Sequence, residues 1–193
     1  DATFDSLFAG INQAQDYLLI QFFIVRDDEL GRQLLQHLIA AVKRGVRVYF
    51  LYDEIGSRKL NEGYLKELSE SGVEVSPFRS SRGLKHRFQL NFRNHRKIAV
   101  VDGKQGWVGG FNVGNEYLGK SVKHGPWRDT HLKVQGPCVL GLQEAFWEDW
   151  HWATGAVITL NWHAESHPQQ DQQVVIVPSG PADKQDTAGL LVQ

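Results

Sequence analysis

The chain predicts an α/β fold with a mostly parallel central sheet flanked by helices, and three observations lead there. Short apolar runs alternate with amphipathic stretches in the order strand, helix, strand, helix, strand. Glycines at Gly45 and Gly72 close the two intervening helices, as residues just past a helix end commonly do. The composition, 41% hydrophobic and 22% charged, belongs to an ordinary globular chain and excludes a disordered or coiled-coil reading.

Taken in order, Phe4, Leu7, Phe8 and Ile11 recur at helical spacing. The run 17–25 is short, apolar and aromatic-rich, which predicts a buried strand. Leu30, Leu34, Leu35, Leu38, Ile39 and Val42 form one face of the next helix. Residues 46–52 are the second strand, ending in Asp53-Glu54-Ile55-Gly56. Leu60, Tyr64, Leu65 and Leu68 mark another helix, and 73–78 the third strand. Residues 98–101 and 105–108 predict two strands about a turn at Asp102-Gly103. A further strand follows over 130–134, then a helix over 138–152 with Val139, Leu142, Phe146 and Trp150 as its stripe. Four of the six tryptophans fall between Trp147 and Trp162; the stripe assigns Trp150 to the core and the others to the domain edge rather than to a membrane belt. Residues 164–173 are polar and linker-like, and 174–177 predict a last strand.

One cysteine, Cys138, allows no internal disulfide. The longest apolar block, 17–25, is far short of the ~20 residues that cross a bilayer, and no signal peptide opens the chain. Beginning at Asp1 and lacking methionine, the chain reads as a soluble, processed or truncated piece. The net charge of −1 supplies no global field for a polyanion such as nucleic acid. Charge is nevertheless concentrated: Arg79, Arg82, Lys85, Arg87, Arg93, Arg96 and Lys97 occur in a window without acidic residues. Such a run is either a solvated loop or a rim that receives an anion.

The window ends in the constellation of greatest chemical interest: His95-x-Lys97, four residues to Asp102, six more to Gly109-Gly110, then Asn112. Strand alternation turns His95 and Lys97 to one face. A neutral imidazole serves as nucleophile or general base near neutral pH, and an ammonium beside it holds a phosphate oxygen. Gly109 and Gly110 predict a close backbone approach to a ligand, with Asn112 adding an amide donor. Asp102 before Gly103 suits a turn, so a structural hydrogen-bonding role is expected ahead of direct chemistry. His124 and His131 are expected to be packing or surface residues, and no group has metal-ligand spacing.

This spacing resembles the signature of the phospholipase D superfamily. The segments Asp53-Glu54-Ile55-Gly56-Ser57, Phe92-Arg93-Asn94-His95-Arg96-Lys97, Gly109-Gly110-Phe111-Asn112, Trp127-Arg128-Asp129-Thr130-His131 and Pro178-Ser179-Gly180-Pro181 resemble the first catalytic half of bacterial cardiolipin synthases. The resemblance implies an α/β sandwich in which two halves, each with one His-Lys-Asp set, close one active site without metal or other cofactor. It implies transfer of a phosphatidyl group between phosphatidylglycerol molecules through a phosphohistidine. His95 is then the nucleophile or the acid for the leaving alcohol, and Lys97, Asn112, Gly109 and Gly110 bind phosphate. Asp102 completes the signature, and Asp129 stands where the family places an acidic residue that orients the histidine.

The family's amino-terminal membrane helices and second His-Lys-Asp set are absent. Residues 1–160 are therefore read as one catalytic half, and 161–193 as a linker and a strand leading to a second half that these residues lack. That half comes from a longer chain or a homodimer mate, and the parent protein is placed at the bacterial inner membrane. Two rivals remain: a homodimeric phosphodiesterase or nuclease of the same superfamily, and a non-catalytic phospholipid-binding half domain.

Overall fold

The computed structural model describes residues 2–78, 94–123, 125–164, 166 and 172–178. Four α-helices and six strands form its regular elements: α1 (Ala2–Gln13), β1 (Tyr17–Phe22), α2 (Glu29–Lys43), β2 (Arg47–Asp53), α3 (Glu62–Glu70), β3 (Glu74–Phe78), β4 (Ile98–Val101), β5 (Gln105–Gly109), β6 (His131–Gln135) and α4 (Val139–Thr154). A short 3-10 helix, Asn115–Leu118, precedes β6. Side-chain caps fix two helix starts, with Asp28 accepting from Gly31 N–H and Asn61 from Gly63 N–H.

The strands lie in the order β3-β2-β1-β4-β5-β6. Strand alternation divides the core cleanly. Leu18, Ile20, Phe22, Val48, Phe50, Ala99 and Val101 face one cluster with the apolar stripes of α1, α2 and α3. Tyr17, Leu19, Tyr49, Leu51, Ile98 and Val100 face the other, covered by Leu142, Phe146 and Trp150 of α4. The three layers are thus helices, sheet and helix. Trp150 belongs to the core, as its stripe predicts, while Trp152 and Trp162 stay partly exposed.

Two expectations need correction. The sheet is mixed, not mostly parallel: β1-β2 and β2-β3 pair parallel, whereas β1-β4, β4-β5 and β5-β6 pair antiparallel. Helical crossovers enforce the first pairings, and the tight turn at Asp102-Gly103 enforces antiparallel pairing of β4 with β5. The predicted last strand, 174–177, joins no ladder. Ile176 instead packs against α4, so close to Gly141 that a Cβ there would lie 2.8 Å away. Among the described residues no helix is long and apolar enough to cross a membrane.

The β4-β5 reversal explains Asp102. Asp102 and Gly103 both take positive φ (53° and 69°), and Lys104 N–H donates to the Val101 carbonyl at 2.9 Å. The Asp102 carboxylate then accepts backbone N–H bonds from Gln15, Asp16 and Tyr17, each at 2.9 Å. It ties the start of β1 to the turn, at the opposite end of β4 from Lys97. Asp102→Ala is therefore expected to cost about 1–3 kcal/mol of stability, the scale of hydrogen bonds to a charged acceptor. Urea unfolding checks it, and unchanged stability would contradict this role.

Candidate active site

The carboxyl ends of β1, β2 and β5 and the amino ends of β4 and β6 meet at one end of the sheet, where His95, Lys97, Asn112 and Asp129 lie. Two buried carboxylates hold the segment that leads into β4. Asp149 of α4 accepts from Gln21 Nε2 at 2.8 Å, Asn94 Nδ2 at 2.6 Å and the Arg96 guanidinium at 2.6 Å. Asp53 accepts Ile55 and Gly56 N–H at 3.0 and 2.8 Å, and Asn94 N–H at 3.3 Å. With Asn94 and Arg96 drawn toward α4, alternation sends His95 and Lys97 to the opposite face. Both reach one aromatic ring: the His95 imidazole stacks on Phe23 with centroids 3.9 Å apart, and the Lys97 ammonium lies 5.4 Å from the same centroid. Lys97 Nζ also donates to the His95 carbonyl.

Asn112 is positioned by the chain that follows β1. Its Oδ1 accepts Ile24 N–H at 2.9 Å, while Val113 N–H donates to Ile24 O and Arg26 N–H to Val113 O. Ser57 Oγ braces the same stretch, accepting Val25 N–H and donating to the Phe23 carbonyl. The buried Tyr117 phenol, pushed up by burial, is opposed by a hydrogen bond with Asn112.

Gly109 and Gly110 make room for the chain around Asp129 and His131. A Cβ on Gly110 would come within 2.0 Å of the Asp129 carboxylate, and one on Gly109 within 2.5 Å of the His131 Cα. Gly110 N–H already donates to Thr130 O at 3.0 Å. Asp129 is thereby brought beside Lys97 and His131. Burial pushes the Lys97 ammonium down and Asp129 opposes it. His131 is pushed down to about 4, first by burial and then by the Lys97 charge, against the pull of Asp129. Asp129 accepts from Thr130 N–H at 2.7 Å, and among the described residues it makes no hydrogen bond to His95.

His131, expected to be a packing or surface residue, packs against Phe111 and Gly109 next to the candidate site. It also opens a second His-x-Lys triplet, His131-Leu132-Lys133, whose position 138 is cysteine, not aspartate. Lys133 lies over Trp107, its ammonium 5.1 Å from the ring centroid. The i, i+2 spacing from Asp129 was the available signal. Phe23 and Asp149 carried none. Of the basic window, Arg96 is spent on Asp149, while Arg79, Arg82, Lys85, Arg87 and Arg93, like His124, lie outside the described residues.

The candidate site is thus an exposed imidazole beside an ammonium and a carboxylate at the end of a mixed sheet. Residues 7–125 match the family model described as cardiolipin synthase, PLD-like domain, and the chain belongs to that family. It is 48% identical to cardiolipin synthase A of Pseudomonas putida (strain GB-1) over 189 residues, and 48% identical to that of Pseudomonas aeruginosa (strain LESB58) over 193. Each match covers 98% of this chain and 39% of the relative, so the chain spans well under half of these curated relatives. Among solved structures, NucT from Helicobacter pylori matches with TM-score 0.58 and 17% identity, covering 79% of this chain and 89% of that one. Phosphatidylserine synthase of Haemophilus influenzae Rd KW20 matches with TM-score 0.54 and 16% identity, covering 73% and 33%. At these identities the structural likeness is one of fold.

The depressed His131 implies a pH effect. Between the ordinary histidine value near ~6.5 and about 4, the unfolded chain binds a proton on His131 that the folded chain refuses. Stability should fall as pH drops through that window, and His131→Gln should flatten part of the decline. Urea titrations at several pH values check this, and identical slopes in both proteins would contradict it.

Proposed function

We propose that this chain is one catalytic half of a phosphatidyltransferase of the cardiolipin synthase type, acting on phosphatidylglycerol. The supporting observation is that His95 and Lys97 both contact the Phe23 ring beside Asp129, in a chain 48% identical to cardiolipin synthases across 98% of its length.

Lys97 binds a non-bridging oxygen of the phosphodiester, its charge strengthened by a partly dry setting. Asn112, fixed through its Oδ1, adds polar complementarity. In the first step an imidazole nitrogen forms a P–N bond while the P–O bond to glycerol breaks, and an acid gives the leaving alkoxide its proton. In the second step the hydroxyl of another phosphatidylglycerol forms a new P–O bond as P–N breaks, and its proton returns to that group. Two imidazoles on opposite sides of phosphorus are needed, and general acid catalysis typically contributes ~10²–10⁴-fold. His95 supplies one. The other belongs to a second His-Lys-Asp half, from a longer chain or a homodimer mate. The whole protein works at the bacterial inner membrane, where both substrates reside, and needs no metal for charge stabilisation.

The test is turnover of phosphatidylglycerol vesicles by the full-length protein, beside single-stranded DNA as competing substrate. His95→Asn should lower phosphatidyl transfer by about 10³-fold or more, because nucleophile and acid act as a unit. Retained turnover in a folded variant would overturn the assignment, and cleavage of DNA alone would favour the nuclease.

A further inference from the structure

We infer that Phe23 is the positioning residue of this site: its ring contacts both the imidazole of His95 and the ammonium of Lys97 and so holds the two in register for one phosphate group. The His95 ring lies 3.9 Å from it at an interplanar angle of 25°, close and nearly parallel. The Lys97 Nζ is 5.4 Å from its centroid, within the range of a cation–π contact. Each contact orients a side chain that backbone alternation alone leaves free to rotate.

The ring is itself held rigidly, and the holders explain part of the motif after β2. A Cβ on Gly56 would lie 2.3 Å from the Phe23 carbonyl oxygen and 2.9 Å from the ring, so only glycine lets the 53–57 turn close over Phe23. Gly56 is fixed in turn by its N–H bond to Asp53, and Ser57 Oγ donates to the Phe23 carbonyl at 3.1 Å. Asp53 also accepts Asn94 N–H, so the carboxylate that seats the clamp on Phe23 seats the residue preceding His95. Ring and histidine are thus located by one buried group. A misplacement of about 1 Å at a reacting atom costs on the order of 10²-fold in rate, and this ring resists it.

The inference rests on the transferase reading for its activity arm alone. The first experiment is NMR of the 193-residue chain, with the His95 ring protons assigned by their loss in His95→Asn. In the wild type they should lie upfield of free histidine, shifted by the ring current of Phe23, and show NOEs to its protons. Phe23→Tyr should keep the shift and Phe23→Leu abolish it. In the full-length protein Phe23→Leu should lower kcat by about 10–100-fold with KM little changed, while Phe23→Tyr stays near wild type. Wild-type His95 resonances at free-histidine positions would overturn the proposal, whether or not Phe23→Leu folds. Full kcat in Phe23→Leu would overturn it as well. If even the wild type transfers no phosphatidyl group, the transferase reading fails and the ring-current result still decides the role of Phe23.

Discussion

The site depends on one buried carboxylate. Asp149 reaches from α4 through the sheet end and gathers Gln21 of β1 with Asn94 and Arg96 of the run into β4. Its partners are mutually supporting, since Asn94 Oδ1 accepts Arg96 N–H at 3.1 Å. Because side chains alternate along an extended chain, holding the even-numbered residues on the α4 face forces His95 and Lys97 onto the other. Orientation of His95 and Lys97 is thus set from behind, by groups on the α4 side of the sheet. A short, partly buried ion pair of this kind matters less for the energy it adds than for what its loss exposes: the buried amides of Gln21 and Asn94 that Asp149 accepts from.

Around that anchor the site is assembled from segments far apart in sequence. The stretch after β1 pairs with 112–113 and brings Asn112 alongside. Gly109 and Gly110 let β6 and Asp129 come near enough for the carboxylate to act on both Lys97 and His131. The result is one depressed ammonium, one imidazole held neutral and one carboxylate, an arrangement suited to receiving a phosphate monoanion in a partly dry place.

Most of the elements were legible in the sequence because each has a strong local signal. The stripes of α2 and α4 and the strand runs at 46–52 and 98–101 fall within a residue or two of the observed elements. The pairing direction of the later strands was not legible, because nothing local states on which side of β1 a chain lands after leaving β3. Residues 174–177 have the composition of a strand and lack a partner, since β-structure is a property of neighbours. In the site, the spacing from His95 to Asn112 was readable, being confined to a hairpin and its flanks. Phe23 and Asp149 were not: they lie 72 and 54 positions from His95 and look like ordinary apolar and helical residues until the sheet closes. The two glycines were legible as places of close approach, and the neighbours that come close, Asp129 and His131, become visible only once β6 pairs with β5.

The anchor is tested most directly by hydrogen exchange across Asn94–Lys97 in the wild type and in Asp149→Ala, with urea unfolding on the same samples. Loss of the carboxylate should speed exchange at Asn94 and Arg96 more than at β2. It should cost about 3–5 kcal/mol, the scale for removing one partner of a buried pair. Unchanged protection at 94–97, or stability within ~0.5 kcal/mol of wild type, would contradict the claim that Asp149 sets this site.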